Sequence, residues 1–324
     1  MTRRVLVTGA AGYLGGRVVE SLAVRAAVAG DPACLVATDV RDVPPERRVA
    51  QAEYLALDVR APGLADVLAR YSIDTVVHLA AIVTPGPASN RELEYSVDVL
   101  GTRNVLEACV AAGVRRIVVT SSGAAYGYHA DNPAWLTEDD PVRGNEAFAY
   151  SHHKRLVEEM LAEYRRTHPA LEQVVFRVGT ILGETTRNQI TALFERPRLI
   201  AIRGSASPFV FVWDRDVAGA IEHAVFGGPP GIYNVAGDGA LSIQEIAARL
   251  GKRCVTIPPG LLRAVLAVLH PLGLSRYGPE QVDFLRYRPV LDNRRLKEVF
   301  GYVPQLTSAE VLELFRKAHG LGPR

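Results

Sequence analysis

Val5-Leu6-Val7-Thr8-Gly9-Ala10-Ala11-Gly12-Tyr13-Leu14-Gly15 is the stretch on which the fold turns. Its apolar start reads as a buried strand, three glycines follow at G-x-x-G-x-x-G spacing, and a helical pattern occupies 15–29. Glycine permits the tight turn and lets backbone N–H groups approach an anion, while the helix that opens there points its positive end at the same place. Strand, glycine turn and helix in direct succession are the arrangement that cradles a dinucleotide pyrophosphate. Asp39 closes the next strand, 24 residues after Gly15. A carboxylate there accepts the ribose hydroxyls of NAD and repels a 2′-phosphate. Arg41, two residues on, suits a 2′-phosphate, so NAD is expected and NADP stays open. Asp58 ends a further strand, where an adenine amino group would be read.

Outward from that stretch, short apolar runs at 35–38, 54–57, 75–79, 117–120 and 174–178 alternate with helical patterns at 64–70, 97–112 and 150–166. Parallel strands need a covering crossover, so this alternation predicts the α/β class: a Rossmann-like, doubly wound parallel sheet. Beyond Val178 prolines interrupt the chain, and helical patterns cluster at 217–225, 243–250, 261–269, 294–299 and 309–318. Residues 1–178 are read as the dinucleotide domain and 179–324 as a smaller mixed substrate lobe.

The chain has 324 residues, 48% hydrophobic and 22% charged, with net charge +2, which is an ordinary globular balance giving no reason to expect nucleic acid or an anionic membrane as partner. Cys34, Cys109 and Cys254 are far apart with no C-x-x-C, so neither a disulfide framework nor a zinc site is expected, and a reducing cytoplasm fits. Arg3-Arg4 before an apolar run imitates a targeting segment, but the run stops at Thr8-Gly9. The apolar stretch 261–274 is interrupted by Arg263, His270 and Pro271, and is shorter than the roughly 20 residues that cross a bilayer. It is expected to be a buried or lobe-packing helix, with a membrane-surface helix as the alternative. A small-molecule substrate, and a second copy of the chain in a homodimer, are the partners this reading leaves.

Tyr150-Ser151-His152-His153-Lys154 sets a phenol and an ammonium one helical turn apart. A tyrosine titrates near 10, too high for a base at neutral pH, and a neighbouring cation favours its phenolate. Ser121-Ser122 follows a strand at the carboxyl edge of the sheet, where such sheets bind ligands, and Ser122 can steady a substrate oxygen. His152 and His153 are expected to be solvated helix residues pointing away from the Tyr–Lys face. Neither has a partner at metal-ligand spacing, and no metal is expected. Without a G-x-S-x-G elbow, Ser122 is not read as a hydrolase nucleophile.

These residues resemble the extended short-chain dehydrogenases/reductases, the NAD-dependent epimerase/dehydratase family. The resemblance rests on TGAAGYLG (8–15), HLAA (78–81), GTRNVLEA (101–108), SSGAAYG (121–127), YSHHK (150–154), RVGTILG (177–183) and FVWDRDVAGA (211–220). It implies Ser122, Tyr150 and Lys154 as catalytic residues. It implies a cofactor site of Gly9, Gly12, Tyr13, Leu14, Gly15, Asp39, Asp58, Val59, Leu79, Ala80, Ala81, Asp98, Thr120, Tyr150, Lys154 and Gly179, and substrate contacts from Thr84, Ser122, Tyr126 and Thr180. It also implies that part of 209–237 folds back onto the first domain.

The chain departs from the family pattern in three places. Asp98 stands where many members carry Asn, and a carboxylate cannot donate as an amide does. Gly123-Ala124 replaces the Asp-Glu pair of dehydratases, which disfavours dehydration. Thr180 and the stretch Ser207-Pro208-Phe209-Val210 lack the Asn and Arg that often hold a sugar nucleotide, for which Arg187, Arg196, Arg198 or Arg203 would have to substitute. The expected activity is hydride transfer between nicotinamide and a secondary alcohol or ketone carbon. Nucleotide-sugar epimerisation and a non-catalytic NAD-binding module are the alternatives.

Overall fold

Val5 and Val7 project from one face of the first strand and Leu6 from the other, and all three are fully buried. A strand covered on both faces belongs inside a sheet flanked by helices. The structure is a computed structural model and describes residues 2–83, 90–275 and 278–322. Its first half runs β1 (Arg4–Thr8), α1 (Tyr13–Ala29), β2 (Cys34–Asp39), β3 (Glu53–Ala56), α2 (Leu64–Arg70), β4 (Thr75–His78), α3 (Arg91–Tyr95), α4 (Gly101–Ala111), β5 (Arg116–Ser122), α5 (Ala149–Thr167) and β6 (Glu172–Val178). The second half runs β7 (Thr180–Leu182), α6 (Gln189–Glu195), β8 (Arg198–Ile202), β9 (Phe211–Trp213), α7 (Asp214–Phe226), β10 (Gly231–Val235), α8 (Ile243–Arg249), β11 (Arg253–Ile257), α9 (Pro259–Leu269), α10 (Gln281–Arg286) and α11 (Ser308–Ala318).

Seven parallel strands form the central sheet in the order β10-β6-β5-β4-β1-β2-β3. The order reverses between β1 and β4, and it is outside the carboxyl ends at such a reversal that open α/β sheets bind ligands. On one face α1 and α7 cover Val5, Val7, Val118 and Phe176. On the other, α2, α4 and α5 cover Leu6, Val36, Val76, Ile117 and Val175. A smaller core of Phe194, Phe209, Phe211, Leu241, Ile246 and Phe315 holds the lobe, where β8 pairs with β11 and β7 with β9.

Two sequence expectations are corrected. The helical pattern 97–112 is not one uniform helix: a π-helical turn, Ser96–Leu100, joins α3 to α4 and turns Asp98 inward. The apolar helix of 261–269 was expected to pack on the lobe. In the structure α9 buries none of its residues fully, and only Pro259, Leu262, Leu266 and Leu269 are half-buried. Among the described residues no helix is long and apolar enough to cross a membrane.

Candidate active site

A cavity of about 880 Å³ opens at the strand-order reversal, and its wall includes the glycine turn, Ser122, Tyr150 and Arg288. In that turn the glycines are geometrically required. Gly9 has φ +72°, and a Cβ there would lie 2.8 Å from the Ala80 nitrogen; at Gly15 it would lie 2.0 Å from the Gly9 oxygen. No larger residue fits that turn, so backbone borders the cavity where a pyrophosphate would lie. The Asp39 carboxylate accepts from the Ala11 N–H at 3.0 Å and the Arg41 N–H at 2.9 Å, and the Arg41 Nε lies 3.3 Å from it. Asp39 is thereby fixed at the cavity wall, suited to accept ribose hydroxyls. Asp58 also lines the cavity, and hydrogen bonds from Arg60 hold its carboxyl below the usual range against the opposing effect of burial. Tyr13 donates to Asp214 at 2.5 Å and accepts from Thr186 at 2.8 Å; burial and then Asp214 push its phenol above its ordinary pKa. These residues fit the adenosine and pyrophosphate of NAD, whose role when bound is to accept or supply a hydride.

Ser122, Tyr150 and Lys154 line the same cavity. Ser122 ends β5, and its Oγ accepts from the Ala124 N–H at 3.2 Å, leaving the hydroxyl hydrogen without a partner among the described residues. Tyr150 lies in the first turn of α5 and Lys154 one turn later, its Nζ 5.6 Å from the Tyr150 ring centroid. The Thr120 carbonyl accepts from the Lys154 Nζ at 2.9 Å, which aims a mostly buried ammonium at the phenol. Gly12, Leu14, Val59, Leu79, Ala80, Ala81, Thr120, Gly179 and Thr180 line the cavity as well, and Thr84 lies outside the described residues.

Three expected roles are not what the structure places. Tyr126 is fully buried away from the cavity. Its hydroxyl donates toward the Thr137 carbonyl and Asn234 Oδ1, each at 2.8 Å, and accepts from Arg177 at 2.8 Å. It braces the sheet rather than meeting substrate. Asp98 does not reach the large cavity. One oxygen accepts from the Ile82 N–H at 2.8 Å and the other lies 3.2 Å from His153 Nδ1. His153 is therefore not solvated: it is 1% exposed and edge-on to Tyr95 at 5.8 Å. Where an amide would donate, a carboxylate needs a donor opposite it, and the imidazole supplies one. Asp98 positions the cofactor-site loop by holding Ile82, and it borders a second cavity of about 10 Å³, the size of one water, which Lys154 also lines.

The cavity also has an aromatic wall whose individual residues were not singled out in the sequence, although most of the segments that carry them were expected to form the pocket. Tyr128, Phe148 and Phe284 pack there with ring centroids 4.8 to 5.7 Å apart. The Arg288 guanidinium lies 4.0 Å from the Phe209 centroid and 4.5 Å from that of Phe284. Burial pushes it down to about 10, so it remains a cation at neutral pH, and no carboxylate among the described residues pairs with it. These groups come from four distant segments, and no local spacing announces them. No cluster of metal-binding side chains occurs among the described residues.

The sequence model of the NAD dependent epimerase/dehydratase family matches residues 5–236. The chain belongs to that family. It is an NAD-dependent enzyme with NAD as its cofactor. An uncharacterized protein of Mycobacterium tuberculosis is 28% identical over 320 residues, covering 98% of this chain and 85% of its own. A UDP-glucose 4-epimerase of Mycolicibacterium smegmatis is 30% identical over 335 residues, covering 97% and 98%. Among solved structures, a short-chain dehydrogenase/reductase superfamily protein of Agrobacterium tumefaciens with bound NAD superposes with a TM-score of 0.72 at 23% identity, covering 98% and 97%.

Proposed function

We propose that this enzyme moves a hydride between NAD and the carbinol carbon of a substrate that carries an anionic group beside an apolar body. The carrying observation is Arg288: a cation with no carboxylate partner among the described residues, held between Phe209 and Phe284 on the same cavity as Tyr150. A half-buried guanidinium that faces a cavity and has no carboxylate partner among the described residues favours a carboxylate or phosphate, and the rings around it suit apolar atoms. In the oxidative direction the Tyr150 phenolate takes the hydroxyl proton as the carbon gives up its hydride. Lys154 stabilises the phenolate, and Ser122 donates to the substrate oxygen. Reduction runs the same transfers backwards. The test is a panel of secondary alcohols, with and without an acidic group, assayed for NADH formation. Anionic members should turn over with KM about 10-fold or more below neutral analogues, and Arg288→Ala should erase that gap. Equal handling of both classes by wild type would overturn the assignment of Arg288.

A second reading is epimerisation of a nucleotide sugar. Arg187 lines the cavity together with Arg288, as do Arg41 and Arg60 beside Asp39 and Asp58, while Arg196, Arg198 and Arg203 do not. The relative from Mycolicibacterium smegmatis bears the name of such an enzyme. Incubation with UDP-glucose and NAD separates the two: an isomeric sugar with no net NADH favours epimerisation, and net NADH favours the first reading.

A further inference from the structure

The exposed apolar residues of the lobe are not scattered. Leu261, Val265, Val268 and Leu272 recur at helical spacing along α9 and the turn after it, and are 56%, 42%, 60% and 65% exposed. Leu274 follows at 72%. A stripe at this spacing normally faces a core, and here it faces solvent. A second exposed apolar pair lies on the two-stranded sheet that precedes α9 in the chain. Ile200 and Val255 are register partners on β8 and β11, 48% and 40% exposed, and two residues earlier on the same face stand the partners Arg198 and Arg253. Both arginines are exposed, and neither has an ion-pair partner among the described residues. Like charges set opposite one another on a ladder repel, so this pair calls for an external anion. The sequence agrees: between Glu245 and Glu280 there is no acidic residue, while Arg249, Lys252, Arg253, Arg263 and Arg276 fall within that interval, of which Arg263 is paired with Asp283 at 2.6 Å.

We propose that this face of the lobe docks on an anionic lipid surface, with α9 lying in the plane of the interface. A helix of 11 residues is too short to span a bilayer but long enough to bury one apolar stripe at the headgroup boundary. Arginines beside it add attraction to acidic headgroups. Charge also decides against a second copy of the chain. A two-fold contact sets the same patch against itself, so Arg198 and Arg253 would be buried in an interface that is basic on both sides.

The experiment is sedimentation of the full chain with vesicles of phosphatidylcholine alone and of phosphatidylcholine with phosphatidylserine, at low and high salt. Binding is expected to the acidic vesicles, weakened by salt. The double variant Val265→Glu/Val268→Glu should bind at least about 10-fold more weakly, with an unchanged melting temperature, because both positions are exposed and outside the cavity. Arg198→Glu/Arg253→Glu should lose the preference for acidic over neutral vesicles and serves as the second probe should the first variant fold poorly. No sedimentation of wild type with acidic vesicles overturns the proposal. So does a wild-type dimer, by light scattering, that Val265→Glu/Val268→Glu converts to monomer while vesicles capture neither.

Discussion

Tyr150 lies within reach of an ammonium that has few other places to go. The Lys154 Nζ is anchored on the Thr120 carbonyl, and the side chain is 7% exposed. Tyr150→Phe removes only the hydroxyl, so the fold and NAD binding should survive while turnover falls about 10²–10⁴-fold, the usual contribution of a positioned proton-transfer group. Steady-state kinetics check this, and a loss below threefold would remove Tyr150 from the chemistry. Asp39 is the proposed ribose acceptor. With Ala11 and Arg41 N–H groups holding it, NADP must bring its 2′-phosphate against a fixed carboxylate. Asp39→Ala should weaken NAD and narrow its advantage over NADP in paired titrations. A wild type that prefers NADPH would instead give the site to Arg41. His78 reports on acid stability. It is buried between Thr8 and Thr102, its ring nitrogens 2.8 and 3.0 Å from their hydroxyls. Burial, with a smaller effect from Lys154, lowers its pKa from 6.5 to about 3. The unfolded chain therefore binds this proton first as pH falls. Above 6.5 the group is neutral in both states and costs nothing; between about 6.5 and 3 it destabilises the fold by up to about 1.4 kcal/mol per pH unit. His78→Gln keeps a donor and an acceptor for the two threonines. Its urea-unfolding free energy should fall less steeply than wild type between pH 6 and pH 4.

Between elements, the most demanding contact is the ion pair of Arg177 on β6 with Glu158 on α5. Their side chains are 5% and 4% exposed and 2.6 Å apart, with Ser121 of β5 donating to the same carboxylate at 2.5 Å. Burial alone would lower Arg177; Glu158 more than reverses it and leaves the guanidinium above its ordinary value. Glu158→Gln leaves that cation buried without its counter-charge and should cost about 3–5 kcal/mol of stability, read as a lower chemical midpoint. Legibility in the sequence follows the same physics. β1, β2, β4, β5 and β6 are buried on both faces, so each is an apolar run that can be read without the fold. β7 and β9 have three residues each, and β8 and β11 are exposed on alternate positions, so nothing local separates them from loop. The Tyr150–Lys154 pair was visible because one helix turn carries both members. Arg288 was not, because its neighbours Phe209 and Tyr128 lie 79 and 160 residues away in the chain. His153 misled for a related reason: its helix position was readable, but the π turn that brings Asp98 against it was not.

Across the whole molecule, the chain after Val178 does more than add a lobe. β10 pairs with β6 from Gly231↔Val174 to Val235↔Val178 and becomes the edge of the main sheet. α7 covers α1 and the strands beneath it: Arg17 and Tyr13 bond to Asp214, Ser21 bonds to Glu222, and Arg25 stacks on Phe226 at 3.9 Å. Val217, Ile221, Ala224 and Val225 belong to the same buried cluster as Val5, Val118 and Phe176. A fragment ending at 178 would keep the glycine turn and the Tyr–Lys helix, yet it would strip that cover and leave β6 as an open edge in an apolar sheet. Unpaired apolar edges recruit other chains. Residues 1–178 expressed alone should therefore aggregate or lack a cooperative melt, and should not bind NAD. A fragment ending near 240 restores β10 and α7 and should recover a cooperative transition, although Trp213 and Phe211 lose lobe partners such as Phe315. Circular dichroism melts of the two fragments make the comparison. If 1–178 melts cooperatively and binds NAD, the first six strands are self-sufficient and the return of α7 and β10 is an addition to a domain already complete.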